Sequence, residues 1–206
     1  MATIVYLIRH GETEWNKLGK FQGSTDIALS EDGIRQAYLA AKVLKGKFDY
    51  IYASPLSRAK QTADIIGETS HVSTQIEPEI KEINFGLWEG LTFEEIKEKY
   101  PKEFVSWRNP LEGHLMSDDK SIRNAGKRAG NAIRRLVEGH QGERIALVAH
   151  GGILKAGLID LFDWDMTMYY KIFLGNTSIT KLVFKKKDSP ILVTLNNTSH
   201  LPEESL

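Results

Sequence analysis

The chain has no cysteine. Disulfide scaffolds, thiolate metal sites and cysteine nucleophiles are therefore excluded together. It also has no net charge, since Lys plus Arg and Asp plus Glu each number 27. That balance gives no general attraction to a polyanion, so nucleic acid is not an expected partner. No window of about 18 apolar residues occurs, and the N-terminus runs into a strand without a basic and then apolar leader. No membrane partner is expected, and a cytoplasmic location is the default. No glycine-rich loop ends in Gly-Lys-Ser/Thr, which argues against a nucleotide-driven kinase. The six histidines show neither close ligand spacing nor an accompanying acidic cluster, so no metal is expected. With 206 residues and no repeat or low-complexity linker, the length suits one domain with a large core.

What is present begins at Thr3. Residues Thr3 to Ile8 are β-branched, aromatic or aliphatic and carry no charge, the pattern of a strand buried on both faces in a mostly parallel sheet. It delivers Arg9, His10 and Gly11 to its carboxyl end, where open α/β sheets bind ligands. Glu12 to Asn16 reads as a short helix or turn before a polar loop, Lys20 to Asp26. Ser30 is the expected cap of a helix from Glu31 to about Leu44, with Ile34, Ala37, Tyr38, Ala41 and Leu44 on its apolar side. Phe48 to Ala53 is a second strand, and Ser54-Pro55-Leu56-Ser57-Arg58 turns it into another helix. Val72 to Ile76 reads as a third strand. Glu79 to Gly90 is an irregular loop, and Thr92 with Glu95 forms a capping box for a short helix that Pro101 ends. Asp118 to about Glu138 is expected as a long helix. Glu143 to Ala149 is another apolar strand ending on His150-Gly151-Gly152, then a helix to Leu161, a partly aromatic connection, and closing strands at Ser178–Phe184 and Ile191–Leu195.

Three strand ends thus carry Arg9 with His10, Arg58, and His150 to one edge of the sheet. Their charge suits a phosphate. Phosphoryl transfer needs its equatorial oxygens neutralised and its nucleophile held in line, which two arginines and an imidazole provide. The departing alkoxide needs a proton, so a carboxylic acid is also required. Glu77, Glu79, Glu82 and Glu89 all lie near, and spacing does not choose among them.

The segments Ile8-Arg9-His10-Gly11-Glu12-Thr13-Glu14-Trp15-Asn16, Phe21-Gln22-Gly23, Ser54 to Ala63, Glu82 to Gly90 and Val148-Ala-His-Gly-Gly152 occur in an order that resembles the histidine phosphatase superfamily, also called phosphoglycerate-mutase-like. The resemblance implies a three-layer α/β/α fold, with a mostly parallel central sheet and flanking helices, in a single domain over residues 1–206. A small helical cap is inserted at about 91–117. It implies His10 as nucleophile, Glu82 as proton donor, and Arg9, Arg58 and His150 as holders of the phosphoryl group. Asn16, Gln22, Gly23 and Gly151 complete the substrate-binding set, and no metal is used.

The activity implied is metal-independent hydrolysis of a small phosphomonoester through a phosphohistidine. The alternative is a phosphoglycerate mutase, which alone would need 2,3-bisphosphoglycerate as cofactor; a non-catalytic phospho-ligand module is remoter. Phe93 stands where such mutases carry a lysine, and Trp107-Arg108-Asn109 where they carry an arginine pair, so the phosphatase is preferred. Gly113-His114-Leu115 departs from the usual phosphatase element, which leaves substrate identity and any part for His114 open. His200, in the tail, is a further candidate substrate contact. The protein partner this reading admits is a second copy, as a homodimer.

Overall fold

The computed structural model describes residues 1–108 and 121–202. Its centre is β1 (Thr3–Arg9), flanked by β4 (Arg144–Ala149) in parallel register and β5 (Ile179–Phe184) in antiparallel register. β2 (Tyr50–Ala53), β3 (Thr74–Ile76) and β6 (Pro190–Asn197) complete one six-stranded sheet in the order β3-β2-β4-β1-β5-β6. The four strands from β3 to β1 are parallel, and only β5 and β6 close the sheet as an antiparallel pair. This is the expected mostly parallel α/β sheet.

Alternation along each strand sorts the core into two layers. Val5, Leu7, Ile145, Leu147 and Ala149 pack on α6 (Ile122–Gly139) and α7 (Gly151–Phe162). Tyr6, Ile8, Ala146 and Val148 pack on α2 (Glu31–Leu44) and α3 (Ser57–Ser70). Each such large side chain taken fully from water contributes roughly 1.5–3 kcal/mol. The outer helices therefore fix the strand ends that carry the candidate site.

Local signals set the helix limits. Ser30 caps α2 by accepting from the Gly33 N–H, and Thr92 with Glu95 forms the expected box at α4 (Phe93–Lys99). A short helix, α1 (Glu14–Lys17), is capped by Thr13, and α5 (Pro101–Arg108) starts at its proline. Two expectations need correction. The long helix starts at Ile122 rather than Asp118, because Ser121 is extended and caps it by accepting from the Asn124 N–H. Tyr38 does not face the core; it is 52% exposed, and Gln36 and Ala40 occupy the buried side instead. Of the segment expected as a cap, α4 and α5 are described, while residues 109–117, His114 among them, lie outside the described residues. No helix among the described residues is long and apolar enough to cross a membrane.

The loop after β1 lies directly on the start of α2. The Ser30 N–H donates to the Glu12 carbonyl at 2.9 Å, and a Cβ on Gly33 would collide with that carbonyl, just as one on Gly11 would collide with the backbone of Gly33. Alanine is the better helix former by about 1 kcal/mol, but here the overpacking cost of about 1–3 kcal/mol acts on rigid backbone. Gly33→Ala is therefore expected to lower stability by up to about 2 kcal/mol in urea unfolding, and to weaken activity by displacing the loop beside His10.

Candidate active site

Arg9 and His10 leave β1, Arg58 lies in the first turn of α3 after β2, and His150 lies between β4 and α7. His10 is 3% exposed, and Arg58 and His150 are fully buried. The two imidazoles meet edge to face with centroids 5.2 Å apart, yet their hydrogen bonds put them in opposite tautomers. Nδ1 of His10 lies 2.6 Å from the Gly11 carbonyl oxygen. That oxygen only accepts, so Nδ1 carries the proton and Nε2 the lone pair. In His150 the Arg58 Nε–H donates to Nδ1 at 3.1 Å, so the proton is on Nε2 and Ser54 Oγ accepts it at 2.7 Å. Burial, then the guanidiniums of Arg58 and Arg9, hold the His10 pKa well below the usual imidazole value. Burial, Arg58 and His10 do the same for His150. Both rings are thus neutral near pH 7.

Arg58 is held on all sides: besides His150, it donates to the Thr25 carbonyl at 2.8 Å and the Gly23 carbonyl at 2.7 Å. Arg9 donates from Nη1 to the Leu174 carbonyl at 2.7 Å, and its buried Nε has no hydrogen-bond partner among the described residues. Burial brings the Arg9 pKa down to about 10, against the opposing pull of Glu82. Glu82 accepts from the Ile153 N–H at 2.7 Å, the Gly152 N–H at 3.0 Å and its neighbour Ile83 at 3.0 Å. Two of these donors are unpaired first-turn groups of α7, at the positive end of its dipole. A Cβ on Gly151 would stand 3.4 Å from the Arg9 Nε, so the same turn also packs on Arg9.

These groups open on a cavity of about 520 Å³. Arg9, His10, Asn16, Gln22, Gly23, Arg58, Glu82 and Gly151 all line it. His150 does not, since both its nitrogens are occupied by Arg58 and Ser54. The Asn16 side-chain oxygen is taken by the Thr13 N–H and hydroxyl and by the Asn176 amide. Among the four glutamates only Glu82 lines this cavity. Glu77 pairs with Arg135 at 2.6 Å, and the Glu89 carboxylate is taken up by Ser24, Thr25 and Phe85. Phe21, Phe85, Phe93 and Trp107 form an aromatic wall, with Phe21 and Phe85 edge to face at 5.1 Å. His200 does not reach the cavity; it bonds Thr177 Oγ1 at 3.2 Å. The Thr177 N–H in turn donates to the His10 carbonyl.

A model of the histidine phosphatase superfamily, branch 1, matches residues 5–198. The chain belongs to that superfamily. It is 32% identical over 198 residues to phosphoserine phosphatase 1 of Hydrogenobacter thermophilus, covering 96% of this chain and 93% of the relative. It is 38% identical over 162 residues to a metal-independent phosphoserine phosphatase of Arabidopsis thaliana, covering 75% and 67%. The phosphoserine phosphatase of Entamoeba histolytica has been solved as a histidine-to-alanine variant with phosphoserine. It superposes with a TM-score of 0.86 at 39% identity, over 97% of this chain and 100% of that one. The same protein with 3-phosphoglyceric acid gives 0.87 and 40% over the same shares. This superfamily member is a phosphomonoesterase with the three-layer α/β fold its sequence implied.

Sequence reasoning missed the supports of this histidine phosphatase's site. Glu89, weighed only as a rival to Glu82, accepts from the N–H and hydroxyl of both Ser24 and Thr25 and from the Phe85 N–H. It pins the loop whose Gly23 and Thr25 carbonyls hold Arg58. The contacts to Ser24 and Thr25 span about 65 positions and leave no local signal. Asn176, whose amide donates to the His10 carbonyl at 3.1 Å, and the cavity cation Lys155 were missed for the same reason. Nitrogen-detected NMR at pH 6.5 should show His10 protonated on Nδ1 and His150 on Nε2, both neutral; a doubly protonated His10 signal would refute the assignment.

Proposed function

We propose that this enzyme moves the phosphoryl group of a small phosphorylated metabolite to His10 and then to water. The observation carrying the reading is the His10 tautomer. With Nδ1–H fixed on the Gly11 carbonyl, the Nε2 lone pair is the one left for phosphorus, and the depressed pKa keeps it unprotonated. Nε2 attacks, the bond from phosphorus to the ester oxygen breaks, and the departing alkoxide takes its proton from the Glu82 carboxyl. Glu82 then takes a proton from water as that oxygen displaces Nε2, so phosphate leaves and both groups return to their starting state. Arg9 and Arg58 neutralise the equatorial oxygens. His150 orients Arg58 through Nδ1, and its Nε2–H would reach a phosphate only by releasing Ser54. Asn16, Gln22, Gly23 and Gly151 shape the rest of the phosphate end.

In this reading residues 1–206 act as one domain, with about 91–117 as a cap over the cavity supplying Phe93, Trp107 and Arg108. No metal or other cofactor enters the chemistry, a view supported by the relation to a metal-independent phosphoserine phosphatase of Arabidopsis. The substrate is phosphoserine or a similarly small phosphorylated metabolite, as the names of the relatives suggest. Such dianions do not cross bilayers, which favours a cytoplasmic place of action. The enzyme needs no nucleic-acid or membrane partner, and any protein partner is a second copy.

The test is phosphate release from a panel of phosphomonoesters in excess EDTA, with His10→Ala alongside. Wild type should release phosphate undisturbed by EDTA, and His10→Ala should lose about 10³-fold or more in kcat while remaining folded. Brief exposure to labelled substrate should leave an acid-labile, alkali-stable phosphoryl adduct on His10. Undiminished turnover by His10→Ala would overturn the mechanism. Isomerisation of 3-phosphoglycerate with little release would make the enzyme a mutase, and stoichiometric binding without turnover a ligand-binding module.

A further inference from the structure

Lys155 lies in the second turn of α7, three residues beyond Gly152 and two beyond Ile153, whose N–H groups hold Glu82. It lines the same cavity as Glu82, Arg9 and Tyr169. Its Nζ stands 4.1 Å from the centroid of the Tyr169 ring. Among the described residues it makes no ion pair; its recorded contact is that ring. Burial brings its pKa down to about 8, with Glu82 pulling upward and Arg9 pushing down, so the ammonium form still predominates at pH 7. An aromatic face compensates a cation only weakly, which leaves this half-buried ammonium without a counter-ion among the described residues.

The position of Lys155 says where that counter-ion belongs. α7 runs away from His150 at about 1.5 Å per residue, so Lys155 is displaced along the helix from the phosphate end, past the turn that holds Glu82. The carboxyl that protonates the ester oxygen marks the leaving-group side of phosphorus. A cation farther along the same helix therefore faces the alcohol portion of the substrate. The other cavity cations differ in setting: Arg108 is exposed and lies over the Phe93 and Tyr170 rings, Lys171 is exposed, and Lys20 belongs to the loop after β1 rather than to the helix that holds Glu82. We propose that Lys155 is a specificity-determining residue that binds a carboxylate carried by the leaving alcohol, so that the enzyme prefers phosphomonoesters of hydroxy acids over those of neutral or amino alcohols. This rests on the reading of Glu82 as the proton donor and of the enzyme as a phosphatase.

Two substrate pairs test it, each differing in the carboxylate: O-phosphoserine against O-phosphoethanolamine, and 3-phosphoglycerate against glycerol 3-phosphate. Wild type should favour the acid in each pair by about tenfold or more in kcat/KM. Lys155→Met, which keeps the apolar stem, should lose about 100-fold on the two acids, the worth of one charge-assisted contact, and less than threefold on the two alcohols. Lys155→Arg should restore part of the preference. Equal losses on all four substrates, or no loss on any, would overturn the inference, as would a wild type without preference for the acids, a result that needs no variant to fold. The phosphatase reading is judged separately: it fails if wild type releases phosphate from none of the four, and it survives if Lys155→Met changes nothing.

Discussion

The site depends on one buried guanidinium. Arg58 is inaccessible to solvent and reaches three acceptors from two distant parts of the chain: the Gly23 and Thr25 carbonyls of the loop after β1, and Nδ1 of His150 at the end of β4. A buried charge is costly unless its donors are matched, so this arrangement is specified closely. Each acceptor is fixed in turn, the two carbonyls by the Glu89 clamp on Ser24 and Thr25 and the imidazole by Ser54. The geometry around phosphorus is thus set before any substrate arrives, in the sense that preorganised dipoles and charges act best.

The cavity is strongly asymmetric in charge. Arg9 and Arg58 stand at its floor, Lys155, Lys20, Arg108 and Lys171 stand around it, and Glu82 is the carboxylate among its lining residues. Burial depresses the pKa of Arg9, Arg58 and Lys155, so these cations lack full compensation within the fold. An anionic ligand supplies what they lack, whereas a neutral one does not. Electrostatics therefore selects the substrate class here, and the aromatic wall of Phe21, Phe85, Phe93 and Trp107 limits its size.

Much of this could be read from the residues alone. Continuous apolar runs at Thr3–Ile8 and Glu143–Ala149 announce central strands, and whatever follows such strands must lie at the sheet edge, which places His10 and His150. Serine before a helical pattern fixed the start of α2 at Ser30. The misreadings have physical causes. Helical spacing put Tyr38 on the apolar side, but a tyrosine at the margin of a stripe is easily left in water while small residues pack closer to the sheet. The start of α6 was placed too early, at Asp118, because a run of polar residues has no apolar period to mark a boundary, whereas the extended backbone of Ser121 marks it in the fold. Glu82 was separated from Glu77, Glu79 and Glu89 by family resemblance, since what distinguishes it is access to the free N–H groups of a helix 70 positions away. Glu89, Asn176 and Lys155 belong to the same class of residue, meaningful through partners that only the folded chain brings near.

The opposed tautomers of His10 and His150 bear on what the pocket refuses. Two imidazoles this close would ordinarily invite capture by a stray transition-metal ion. Here both nitrogens of His150 are occupied, and the one free lone pair, on His10, sits beside two guanidiniums. An incoming cation would meet one imidazole lone pair, a carboxylate already engaged by three N–H groups, and two like charges. The arrangement that readies the nucleophile thereby also guards it against poisoning.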